Sequence, residues 1–178
     1  MNAELIKNSY MKLPKYISAE RAEELRKEFT EYAILNNLSG DGQAPNSGVS
    51  VNYKSFLELL CNKNAELSEI VGSQLLPTYT YARVYYENSV LERHVDRYAC
   101  EISITLHLGG DKEWPIYIET PEGKEVEMNL EPGDAMVYLG CIAPHWRNEF
   151  GGKEYCQAFM HYVQSNGPYA WTYFDKQR

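Results

Sequence analysis

Much that would classify this 178-residue chain quickly is missing from it. No apolar run approaches the roughly 20 residues that a membrane-spanning helix needs, and the N-terminus lacks the basic-then-apolar layout of a secretory signal. These absences predict an intracellular, cytoplasmic protein without membrane attachment. Basic residues are in deficit. The formal net charge is −8, which removes the non-specific attraction to nucleic acid or anionic lipid, so neither is expected as a partner. Cysteine is scarce and scattered (Cys61, Cys100, Cys141 and Cys156), with no CxxC pairing, and free thiols are the expected state. No repeat, low-complexity segment or linker divides the chain, so one domain spanning 1–178 is expected, large enough for a core without covalent staples.

What is present falls into two halves. Residues 1–74 read as helical support and loop. Ser18 caps a helix from Ala19, with Glu20, Glu23 and Glu24 near its positive end. Ala22, Leu25, Phe29, Tyr32 and Ala33 recur on one helical face. Further helices are predicted over Lys54–Asn62 and Ala65–Gly72. Between them, Asn37–Asn52 is rich in Asn, Ser, Gly, Asp and Pro, and reads as a long loop of the kind that forms lids.

From Leu75 the period changes to two. Tyr79, Tyr81, Arg83 and Tyr85 share one strand face, and Thr80, Ala82, Val84 and Tyr86 the other. Strand-like runs follow at Glu101–Leu108, Pro115–Glu119, Lys124–Asn129, Ala135–Leu139 and Glu154–Val163, separated by Gly-Gly-Asp, Pro-Glu-Gly, Glu-Pro-Gly-Asp and Gly-Gly turns. Short strands with regular turns and no intervening helix predict an antiparallel sandwich or jelly roll over 75–178, braced by the helices before it.

Within those strands lies His94-Val95-Asp96, answered some fifty positions later by Pro144-His145-Trp146-Arg147. A histidine and an aspartate two apart share a face of an extended segment, and a distant histidine completes a triangle. Two imidazoles and one carboxylate with open opposite positions are the ligand set of non-haem Fe(II) oxygenases, so His94, Asp96 and His145 are read as metal ligands. His-x-Asp alone is a weak motif, and a solvated triplet with an unrelated histidine fits it too. His107 and His161 lie on strands and read as structural. Cys141 and Cys156 read as small hydrophobes. Trp114, Trp146 and Trp171 fit a substrate mouth or plain packing equally.

Tyr-Ala-Arg-Val-Tyr-Tyr…Leu-Glu-Arg-His-Val-Asp, then Leu-Glu-Pro-Gly-Asp-Ala-Met-Val-Tyr, then Pro-His-Trp-Arg resemble the 2-oxoglutarate- and Fe(II)-dependent oxygenase superfamily. The order of parts is most similar to its prolyl 4-hydroxylase-like branch, over roughly Leu75 to Val163. The resemblance implies a mainly β, cupin-like double-stranded β-helix, with His94, Asp96 and His145 at the family's ligand positions. It also implies Fe(II), 2-oxoglutarate as co-substrate, and dioxygen. The reaction it implies is oxidative decarboxylation to succinate coupled to hydroxylation of a C–H bond. A prolyl residue of a peptide or protein is the expected substrate; a free amino acid or small metabolite, or a silent binding module on the same fold, are the alternatives.

The resemblance implies a cation for the far carboxylate of 2-oxoglutarate, nine or ten positions beyond the distal histidine. Glu154 and Tyr155 stand there instead. Lys153, one position short, is expected inward by period two and is preferred; Arg147, closer to the metal, comes next. Arg83 is third. Tyr85 matches a family tyrosine that hydrogen-bonds the co-substrate, or else packs in the core.

Overall fold

The computed structural model describes residues 1–175; residues 176–178 of the expected domain lie outside the described residues. Among the described residues there are four α-helices and ten strands, besides two short 3-10 turns, in the order α1 (Ala3–Asn8), β1 (Tyr10–Leu13), α2 (Ala19–Leu35), β2 (Ser47–Val51), α3 (Lys54–Asn62), α4 (Asn64–Val71), β3 (Leu75–Tyr86), β4 (Leu91–His94), β5 (Ile102–Gly110), β6 (Ile116–Glu119), β7 (Glu125–Met128), β8 (Ala135–Tyr138), β9 (His145–Arg147) and β10 (Glu154–Gln164). Among the described residues no helix is long and apolar enough to cross a membrane.

Two antiparallel sheets carry the fold, a larger one ordered β1-β8-β5-β10-β3-β2 and a smaller one ordered β4-β9-β6-β7. Ile116, Ile118 and Met128 of the smaller sheet pack with Met136 and Tyr138 of the larger, closing one part of the space between them. This is the jelly-roll arrangement of a double-stranded β-helix.

Period two sorts the chemistry of the larger sheet. One face of β3, β5 and β10 presents Ala82, Val84, Ile102, Ile104, Leu106, Ala158, Met160 and Tyr162, which pack with Leu25, Phe29, Phe56 and Leu60 of the helices. Burying that face against amphipathic helices is the main stabilising term. The other face carries Tyr79, Tyr81, Arg83 and Tyr85 of β3 and Phe159 and His161 of β10, all lining an internal pocket. The polar residues thus end up between the sheets because the apolar alternates already fill the helix side.

Ser18 caps α2 as expected, its side chain accepting from the Arg21 N–H at 3.2 Å. Arg26 of α2 pairs with Glu154 at 2.9 Å and fastens that helix to the start of β10. The Asn37–Asn52 segment is a loop only in its first part. Ser47–Val51 pairs with Tyr81–Tyr85 as the edge strand β2, an identity hidden by Ser47, Gly48 and Ser50 and the loop-like residues before them, although Val49 and Val51 are strand formers.

Candidate metal centre and its pocket

His94 ends β4 and His145 opens β9, and the two residues are direct partners across the smaller sheet. Asp96 follows two residues after His94, its N–H bonded to the Gly140 carbonyl at 2.8 Å. The approach is close: a Cβ on Gly140 would lie 2.6 Å from Asp96 Oδ2 and 2.3 Å from the Cys100 carbonyl. Only glycine fits there.

The orientation of both imidazoles follows from their backbone partners. A carbonyl can only accept, so His94 Nδ1–H donates to Glu92 O at 2.7 Å and His145 Nδ1–H to Ala143 O at 2.9 Å. In the neutral rings Nε2 then carries the lone pair. These Nε2 atoms lie 3.6 and 3.7 Å from the same oxygen, Asp96 Oδ1. Two lone pairs and a carboxylate oxygen converging on one point repel one another unless a cation or proton sits between them. The three ligand atoms all lie within 4.8 Å of one another, and the donor types suit a divalent transition metal.

Electrostatics report the same tension. Burial pulls the His145 pKa down. Burial, the largest single influence, disfavours the charged form of His94, but the Asp96 and Glu92 hydrogen bonds together with the Asp96 charge outweigh it and the net shift is upward. The Asp96 carboxyl is raised by burial but ends below its ordinary value because His94, His145 and His161 surround it.

The second oxygen of Asp96 is held as well. Ser103 Oγ lies 3.2 Å and the Tyr138 hydroxyl 3.4 Å from Oδ2, and Tyr138 packs edge-on against His145. Ser103 also contacts His161 Nδ1 at 2.9 Å. His161 is buried, which pushes its pKa down to about 4, so it is neutral near pH 7. Ser103, Tyr138 and Gly140 carry no motif of their own. Period two along β5 and β8 is the signal that places Ser103 and Tyr138 on the interior face.

His94, Asp96 and His145 share a pocket with Asp41 and Gln43 of the 37–46 loop, lined further by Tyr79, Tyr81, Arg83, Tyr85, Phe159 and His161. Behind Tyr85 stands Trp114, with ring centroids 4.9 Å apart, and the Arg147 guanidinium lies 4.9 and 5.0 Å from the rings of Trp114 and Tyr155. Arg147 is only 1 % exposed. Nη1 donates to the Trp114 carbonyl and Nη2 to Gln157 Oε1 at 2.9 Å; Nε has no partner, and neither do the buried Tyr85 hydroxyl and His107 Nδ1. Among the described residues no carboxylate pairs with Arg147. Burial pulls the His107 pKa down to about 3 and raises that of Tyr85, so both are neutral hydrogen-bonding groups beside the cation.

The expectation for Lys153 is corrected by its position. Lys153 is exposed and its N–H bonds Asp111. β10 begins only at Glu154, so the strand alternation that would turn Lys153 inward does not reach it. Glu154 faces Arg26 of α2, while Tyr155 and Gln157 are buried. Trp114 packs against Tyr85 and Phe150, Trp146 stacks on Tyr117 at 5.6 Å, and Trp171 is exposed; none of the three lines the pocket.

No family model matches the sequence, and no curated protein matches it. Solved structures do match. A prolyl-4-hydroxylase from Pseudomonas putida superposes with a TM-score of 0.72 at 13 % identity, covering 90 % of this chain and 95 % of that one. HygX from Streptomyces hygroscopicus, solved with nickel and 2-oxoglutarate bound, gives 0.72 at 11 %, covering 93 % and 88 %. An oxidoreductase of the 2OG-Fe(II) oxygenase family from Burkholderia pseudomallei gives 0.72 at 14 %, covering 93 % and 89 %. The fold of this chain is therefore that of the 2-oxoglutarate- and Fe(II)-dependent oxygenases.

Proposed function

We propose that this chain is an Fe(II)- and 2-oxoglutarate-dependent dioxygenase that hydroxylates a C–H bond, with a prolyl residue of a peptide or protein as its substrate. The observation that carries the reading is the convergence of His94 Nε2, His145 Nε2 and Asp96 Oδ1 on one point at the end of a pocket. His94, Asp96 and His145 would hold the iron. The iron, with 2-oxoglutarate and dioxygen, supplies the oxidising chemistry.

The residues around it do the rest. Glu92 and Ala143 lock the imidazole tautomers, while Ser103 and Tyr138 steady the outer oxygen of Asp96. Arg147 is the anchor for the far carboxylate of 2-oxoglutarate. A buried cation without a counter-ion is costly, and its unpaired Nε lies in the same cluster as the unpaired Tyr85 hydroxyl and His107 Nδ1. An incoming carboxylate neutralises the charge and offers acceptors to the Arg147 Nε–H and the Tyr85 hydroxyl. Tyr85, Trp114 and Tyr155 close that end and exclude water.

The similarity in fold to the Pseudomonas prolyl-4-hydroxylase supports the prolyl assignment. A small-molecule substrate is the second reading, favoured by the polar groups that Asp41 and Gln43 add to the pocket lining. The test is succinate formation from 2-oxoglutarate by the iron-loaded protein, with peptides containing proline as candidate substrates. Asp96→Ala should abolish turnover and move the thermal midpoint little, because Asp96 lies at a pocket and not in the apolar core. Wild-type turnover in Asp96→Ala would remove the metal assignment.

A further inference from the structure

The two buried arginines differ in what neutralises them. Among the described residues Arg147 meets neutral acceptors, the Trp114 carbonyl and Gln157, and no carboxylate. Arg83, 2 % exposed, is already paired: Nη2 donates to Asp41 Oδ2 at 2.8 Å and to Gln43 Oε1 at 2.9 Å. Asp41 in turn has its acceptor capacity filled. Oδ1 takes the backbone N–H groups of Gln43 and Ala44, each at 3.0 Å, and Oδ2 takes the Tyr81 hydroxyl together with Arg83.

Yet Arg83 lines the same pocket as His94, Asp96 and His145, and its Nη1 is buried without a partner. An unpaired buried donor is unfavourable, and an acceptor on a ligand would relieve it. The charge of that acceptor is constrained. A second carboxylate would lie close to Asp41 and be repelled with Arg83 already neutralised, whereas a neutral carbonyl meets no such penalty. Tyr79, Tyr81 and Phe159 add ring surfaces to the same wall for the apolar part of a ligand.

We propose that Arg83, clamped by Asp41 and Gln43, is the recognition donor of the pocket and takes a neutral carbonyl oxygen, so that the group it admits is an amide and not a free acid. Calling that ligand the substrate rests on the oxygenase reading above; the charge preference does not. Asp41 acts through Arg83 and is a positioning residue.

The test uses the full chain loaded with zinc as a redox-silent metal and saturated with 2-oxoglutarate. Ligand-observed NMR measures binding of N-acetyl amino acid N-methylamides, each against the N-acetyl free acid with the same side chain. At least one amide should bind about tenfold or more tightly than its acid. Asp41→Asn keeps the shape and removes the anion, and should move that ratio about tenfold towards the acid. Arg83→Met should erase the preference while leaving the affinity for 2-oxoglutarate within about threefold, because Arg147 holds it. Acids binding as well as amides, an unmoved ratio in Asp41→Asn, or no binding by either set would overturn the proposal. So would a tenfold loss of 2-oxoglutarate affinity in Arg83→Met, which would make Arg83 the co-substrate's anchor. An amide preference without succinate formation by the iron-loaded protein would leave this subsite standing and count against the oxygenase reading alone.

Discussion

Replacing Arg147 by methionine separates a ligand anchor from a structural residue by sign. In the ligand-free protein Arg147 is a buried cation with two neutral acceptors and, among the described residues, no carboxylate. Its removal lifts a desolvation penalty of about several kcal/mol and strands two acceptors, which costs about 1–3 kcal/mol each. The two nearly cancel, so the ligand-free thermal midpoint should stay within a few degrees of wild type. Binding behaves otherwise. A charge-assisted hydrogen bond to a carboxylate is worth about 1.5–3 kcal/mol, so the dissociation constant for 2-oxoglutarate should rise about 10- to 150-fold. A 100-fold loss removes about 2.7 kcal/mol of ligand stabilisation at saturating ligand. For a domain of this size that is roughly 5–11 °C less thermal shift. Differential scanning fluorimetry of the zinc-loaded protein, with and without 2-oxoglutarate, reads both numbers at once. Lys153→Ala, on the exposed turn, should change neither. If Lys153→Ala loses the thermal shift and Arg147→Met keeps it, the carboxylate lies elsewhere and the reasoning from the uncompensated charge is wrong.

Gly140→Ala should lower metal affinity by about tenfold or more, because its Cβ would press on Asp96 Oδ2 and on Ser103 Oγ at 2.6 and 2.8 Å; zinc affinity equal to wild type in a calorimetric titration would refute this. Metal affinity should fall on acidification, since His94, whose pKa is raised by Asp96, holds a proton on the nitrogen that would bind metal. Titrations at stepped pH should show proton release on metal uptake, and a pH-independent affinity would contradict the ligand set. Arg83→Met should also speed proteolysis within residues 39–46, because it removes the ion pair that fastens Asp41 to β3. An unchanged cutting rate would mean that the loop is held by its own turns.

Legibility in the sequence followed the strength of local periodicity. The long strands β3 and β10 and the helix α2 fall where alternation and helical spacing place them, because each buries a whole face against another layer. The convergence of His94, Asp96 and His145 was readable because two residues on an extended segment and one distant strand leave few geometries. Where register depends on a turn, the reading fails. Lys153 sits one residue before β10, and the Gly151-Gly152 turn ahead of it leaves its side chain outside. β2 was hidden by composition, since an edge strand next to β3 needs backbone pairing more than apolar side chains. Ser103, Tyr138 and Gly140 were invisible as a group, because the oxygen they surround belongs to a residue 7 or more positions away in the chain.

The harder distinction lay between the two arginines, and no spacing rule separates them. Arg83 and Arg147 both stand on strands and both are buried. What assigns them is charge accounting across the tertiary structure. Asp41, brought in by a loop some forty residues before Arg83, cancels one cation; nothing among the described residues cancels the other. An uncompensated guanidinium enclosed by Trp114 and Tyr155 is tolerable in a folded protein when an anion is its normal companion. A compensated one with a spare N–H discriminates against that same anion. Arg83 shares the pocket wall with His94, Asp96 and His145, while Arg147 lies outside that lining among Trp114 and Tyr155, and the proposed division of roles follows from which arginine received an aspartate.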